Sequence, residues 1–113
     1  MRPDPRASAT VLAFVLVSVT VVPASAAAAP VIVRISNFVF DAETLTVPAG
    51  TTVTWINQDD DPHTIVSDDE TSFRSKALDT NDSFSFTFAK PGTFGYFCSI
   101  HPHMTGKVVV KAP

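Results

Sequence analysis

The stretch Ser83-Phe84-Ser85-Phe86-Thr87-Phe88 alternates strictly between hydroxylated and aromatic side chains. A period of two puts all three phenylalanines on one face and three small polar groups on the other, which a strand can do and a helix cannot. A chain built on such a strand needs a second apolar layer to cover the aromatic face. After Pro30 the sequence offers further short β-type runs for that purpose and shows no helical stripe.

Val31 to Ser36 predicts the first strand, and Phe38-Val39-Phe40 continues it or starts a bend. Thr44 to Val47 predicts another, closed by the turn residues Pro48-Ala49-Gly50, which pass the chain into Thr51 to Asn57. Along this last run Val53, Trp55 and Asn57 share a face. If the tryptophan faces inward, Asn57 does too, and a buried amide must find hydrogen-bond partners. His63 to Ser67, Phe94 to Cys98 and Gly106 to Lys111 complete the set, while Asp68 to Asn81 is irregular and has room for a short helical turn. Seven to eight short, mostly antiparallel strands with turns at this spacing predict an all-β, Greek-key β-sandwich.

The chain start reads differently. Arg2 and Arg6 precede an apolar, uncharged stretch from Ala9 to Val22, and small residues follow at Ala24-Ser25-Ala26-Ala27-Ala28-Ala29. These are the three parts of a secretory signal peptide. The apolar stretch is shorter than the roughly 20 residues a spanning helix needs. We therefore expect a signal over residues 1–26, cleaved after Ala26, and one domain over residues 27–113 with no stable membrane insertion. Losing Arg2, Arg6 and Asp4 from eight basic and eleven acidic side chains leaves that domain a net charge of −4. Such a domain lacks the lysine and arginine excess that nucleic-acid binding requires. It is expected to be an exported, periplasmic monomer.

The domain has one cysteine, so no disulfide can form within it. A leftover cysteine in an exported protein is an inert buried thiol, a route to dimers or a metal ligand. Its neighbours favour the last. Cys98, His101 and Met104 fall at every third position of a short loop before Gly106, stiffened by Pro102, and His63 stands far upstream at a strand start. A thiolate, two imidazoles and a weak thioether form the ligand set of a blue-copper electron-transfer site. Each residue alone has an ordinary packing or surface role; the combination points to copper.

The segments Val47-Pro48-Ala49-Gly50-Thr51-Thr52-Val53-Thr54-Trp55-Ile56-Asn57, Asp61-Pro62-His63-Thr64-Ile65, Phe86 to Cys98 and His101 to Val110 resemble the cupredoxins. The similarity is greatest to their amicyanin-like and plastocyanin-like members, and the two-residue gaps of the ligand loop match the short amicyanin form. The resemblance implies one type 1 copper ion held by His63, Cys98, His101 and Met104. It also implies that Asn57 ties the His63 loop to Ser99, the residue after the cysteine. The loop before His63 is acidic, with Asp59-Asp60-Asp61, and His103 stands where amicyanins carry a bulky apolar residue.

These readings predict a soluble one-electron carrier rather than an enzyme. Its partner would be a redox protein such as a c-type cytochrome or a dehydrogenase with a basic docking face. Pro62, Ile100, Pro102 and His103 are the expected docking surface around His101. Copper delivery or resistance is the alternative function. A zinc site recruiting His103 is strained, because only Pro102 separates it from His101. An enzyme using Cys98 and His63 lacks a third orienting group in the sequence.

Overall fold

The computed structural model describes residues 2–3, 10–20 and 29–113; the expected cleavage point after Ala26 lies outside them. Among the described residues no helix is long and apolar enough to cross a membrane. The strands are β1 (Val31–Ser36), β2 (Val39–Phe40), β3 (Thr44–Pro48), β4 (Thr51–Asn57), β5 (Val66–Ser67), β6 (Ser83–Phe88), β7 (Gly92–Phe97) and β8 (Thr105–Lys111). They form two four-stranded sheets, ordered β2-β1-β4-β6 and β3-β8-β7-β5. This is the expected all-β sandwich.

Alternation along a strand reveals its faces but not its neighbours. The structure adds that β1 runs parallel to β4 and β3 parallel to β8, while the other four pairings are antiparallel. The aromatic face of β6 meets β4 with Phe84 opposite Trp55 and Phe86 opposite Val53. Trp55 is fully buried. The rings of Phe73, Phe84, Phe88 and Tyr96 stand 5.4 to 6.3 Å from it, so this cluster fills the middle of the sandwich. Tyr96 lies over Gly106, its partner across β7 and β8, and a Cβ at that glycine would collide with the tyrosine ring.

Two local results differ from expectation. Residues 68–81 form no helical turn; they make a loop pinned by the isolated bridges His63↔Leu78 and Val66↔Arg74. The Asp69 carboxylate organises its start, accepting from the N–H groups of Thr71 and Ser72 and from the hydroxyls of Ser67 and Ser72. Side-chain acceptors of this kind satisfy backbone donors that a helix would otherwise use.

The second difference is at Phe38. The two residues between β1 and β2, Asn37 and Phe38, have φ of 53° and 59°. Positive φ at both central positions is what a mirror-image hairpin turn requires, and it costs a bulky residue such as phenylalanine about 1 kcal/mol. This turn, the end of β4 and the end of β7 meet at one end of the sandwich.

Candidate metal centre

Each candidate ligand reaches that end from a different constraint. Cys98 follows β7 directly, and its N–H donates to the Met104 carbonyl at 3.0 Å, while Met104 N–H donates to the His101 carbonyl at 2.9 Å. Those two bonds fold residues 98–104 into a compact loop. His63 arrives separately, held by reciprocal backbone bonds with Leu78, at 3.1 Å for His63 N–H and 2.7 Å for Leu78 N–H.

The side chains then converge. Cys98 Sγ lies 3.8 Å from Nδ1 of His63 and 3.8 Å from Nδ1 of His101. The three donor atoms all fall within 4.8 Å of one another. His63 and Cys98 are fully buried, Met104 is buried and bonded through its backbone to Cys98 and His101, and His101 is partly exposed. His103 is exposed and stands outside this donor cluster, so the structure does not bring a third histidine to the site.

The thiol environment fits a metal-binding thiolate. Burial pushes the Cys98 thiol up, but the Thr64 backbone N–H, His63 and the backbone and side chain of His101 outweigh it, bringing it from 9.0 to about 6. The Thr64 N–H points at the sulfur from 3.4 Å. Hydrogen bonds to the charged form stabilise a thiolate. Soft sulfur with two imidazole nitrogens is a donor set suited to copper. His63, Cys98, His101 and Met104 form a candidate copper site.

The supporting contacts depart from the sequence reading at one point. Asn57 is fully buried at the end of β4, as expected. Its amide, however, donates to the carbonyls of Asp61 and Leu78, both at 2.8 Å, and its Oδ1 accepts from Asp59 N–H at 3.0 Å. It shapes the His63 loop and does not reach Ser99. The tie to Ser99 comes from Thr64, whose Oγ1 accepts from Ser99 N–H at 2.7 Å and pairs with Ser99 Oγ at 2.8 Å. The reason is position: Thr64 adjoins Cys98 across the site, whereas Asn57 is back at the strand end. A hydroxyl directly after the upstream histidine was the available sequence signal.

Asp59 is the larger omission. In sequence it looked like one of three surface charges, yet its Oδ2 lies 2.8 Å from His63 Nε2. A carboxylate can only accept, so Nε2 donates to it, and Nδ1 is the nitrogen left facing Cys98. The same carboxylate accepts from the N–H of Asn37 at 2.8 Å and of Phe38 at 3.0 Å. Burial pushes its acid form up, but the Phe38 N–H, His63 and the Asn37 N–H prevail and hold it below the usual carboxylate value. Asp60 and Asp61 remain as exposed charges. Replacing Asp59 with alanine is expected to weaken copper binding about tenfold to a hundredfold, measurable by competition with a chelator; unchanged affinity would show that the carboxylate does not orient His63.

Known proteins share this architecture. The family model for the cupredoxin-like domain matches residues 8–110. The amicyanin of Paracoccus versutus is 33% identical over 96 residues, which cover 79% of this chain and 73% of that protein. The plastocyanin of Scenedesmus fuscus is 36% identical over 85 residues, covering 65% of this chain and 87% of its own length. A solved purple cupredoxin from Nitrosopumilus maritimus aligns with a TM-score of 0.68 at 35% identity, over 72% of this chain and 99% of that one.

Proposed function

The chain belongs to the cupredoxin family, and from that premise we propose that it is an exported one-electron carrier cycling between Cu(II) and Cu(I). The observation that carries this reading is the convergence of His63 Nδ1, Cys98 Sγ and His101 Nδ1, the first two from fully buried residues. Copper bound by His63, Cys98, His101 and Met104 supplies a one-electron couple. The protein's part is to hold the donors in a fixed, dry arrangement, which keeps reorganisation small. Four protein donors, His63, Cys98, His101 and Met104, would leave a bound copper ion no open position for a substrate, which favours a carrier over an enzyme.

Asn57, Asp59, Thr64 and Ser99 hold the ligands from outside. His101 is the one ligand with clear exposure, so it is the natural point of contact for a redox partner. Around it stand the exposed residues Pro62, Ile100, Pro102 and His103, joined by Phe38 and Val39 from the β1–β2 turn. Isolated apolar side chains are ordinary on a surface, but a group of them beside the exposed ligand suits brief protein docking. Asp60 and Asp61 flank this surface and favour a partner such as a c-type cytochrome or a dehydrogenase with a basic face. The leader, cleaved after Ala26, would deliver the domain of residues 27–113 to the periplasm.

Adding Cu(II) to the purified protein tests this reading. An intense blue colour with reversible one-electron reduction is expected; a colourless copper complex would favour copper delivery or resistance instead. Ile100→Lys is expected to slow electron self-exchange between copies of the protein by at least about tenfold, since it sets like charges face to face. The visible spectrum should stay unchanged. Self-exchange at the wild-type rate, measured by NMR line broadening, would place docking on another face.

A further inference from the structure

Phe38 is poorly placed by every ordinary criterion. It is a bulky residue at a φ of 59°, and it is 44% exposed. Local strain and exposure of this kind, kept together in one residue, direct attention to what the ring touches. The Phe38 ring stands nearly perpendicular to both histidine rings, 5.3 Å and 89° from His63 and 5.0 Å and 85° from His101. The two imidazoles are themselves 5.0 Å apart at 60°. Three rings therefore brace one another in a triangle, in the edge-to-face arrangement that aromatic pairs prefer.

The two histidines differ in what else holds them. His63 has its backbone bonded to Leu78 and its Nε2 bonded to Asp59. His101 makes its side-chain contact through Nδ1, on the edge facing Cys98, and among the described residues no hydrogen bond fixes its Nε2. Metal-binding histidines ordinarily have the far nitrogen bonded, which fixes the ring's tilt. We propose that Phe38 takes that part for His101, as a positioning residue that holds the imbalanced ligand by ring contact instead of by a hydrogen bond.

The turn that presents Phe38 is itself fixed. Its two N–H groups, from Asn37 and Phe38, both donate to the Asp59 carboxylate that also binds His63 Nε2. One carboxylate thus orients His63 directly and His101 through Phe38. The ring contact explains why an aromatic occupies a position where the backbone favours asparagine or glycine. It also assigns Phe38 a role distinct from adding apolar area to a docking face, because a leucine would supply similar area without a ring.

This inference rests on the copper reading, and the test separates the two. Phe38→Leu removes the ring, Phe38→Tyr keeps it, and Phe38→Asn removes it while easing the backbone, which keeps the test open if the leucine variant does not fold. In the metal-free proteins, nuclear Overhauser contacts from the His101 ring to the His63 ring and to the Cys98 β-protons are expected to weaken in Phe38→Leu and Phe38→Asn and to persist in Phe38→Tyr. Copper affinity, from competition with a chelator, is expected to fall about tenfold in the ring-less variants and to recover in tyrosine. The urea midpoint of the metal-free tyrosine and leucine variants should be alike. Wild-type ring contacts and affinity in Phe38→Leu or Phe38→Asn would overturn the proposal. A wild-type protein that binds no copper would overturn the copper reading, and the metal-free ring contacts would then decide the role of Phe38 alone.

Discussion

Replacing Cys98 with serine is expected to abolish the intense visible absorption of the copper-loaded protein and to lower copper affinity by more than about a hundredfold, beyond the loss caused by removing an outer partner. The sulfur is the corner of the donor triangle that both imidazoles face, 3.8 Å from each Nδ1. It is also the strongest electron donor of the set and the one that would bond to copper most covalently. With its pKa at about 6, the thiol is mostly ionised at neutral pH, whereas a serine hydroxyl stays protonated. The sign of the pH dependence follows. Below pH about 6 a proton competes for the sulfur and costs roughly tenfold in affinity per unit, and above it this competition disappears. Titration of the copper-loaded protein by visible spectroscopy, with Cys98→Ser as control, checks both statements. A serine variant that keeps the colour would remove Cys98 from the site.

Asn57→Ala is expected to lower stability by about 3 kcal/mol and the melting temperature by at least about 12 °C, because three hydrogen bonds of a buried amide, one fully and two partly shielded from water, go at once. The amide is fully buried and joins the Asp61 and Leu78 carbonyls to the Asp59 N–H. Alanine leaves the Asp61 carbonyl and the Asp59 N–H without that partner and opens a cavity at the end of β4. The His63 loop hangs on these bonds, so copper affinity should drop together with stability. Calorimetry of the metal-free protein checks the first effect. A change of only a few tenths of a kcal/mol would mean that the amide fills space without pinning the loop.

Strand boundaries and faces were legible because the pattern that encodes them is local. Val31 to Ser36, Thr51 to Asn57 and Ser83 to Phe88 coincide with β1, β4 and β6, and Trp55 and Asn57 point inward as their alternation requires. The ligand set was legible for a similar reason: three of its members sit on one loop, and the chain has only one other histidine outside it. The supports of the site were harder to see. Asp59 meets Phe38 across 21 residues and Thr64 meets Ser99 across 35, so no periodicity links them. Asp59 also lay inside an acidic run, and its neighbours Asp60 and Asp61 do face solvent. Residues 68–81 escaped because side-chain acceptors and two single bridges, without a regular repeat, hold them.

The last matched pair of the β7–β8 ladder is Phe97 with Thr105, and one further bond, from Cys98 N–H to the Met104 carbonyl, closes the loop just above it. Everything between those points is a hairpin tip bolted to a finished sandwich. Its length can therefore change in evolution, or in the laboratory, without disturbing the register that packs Tyr96 over Gly106. The chemistry of this protein is to that extent interchangeable: a different tip on the same ladder would alter how the metal is gripped while the core beneath went on folding as before.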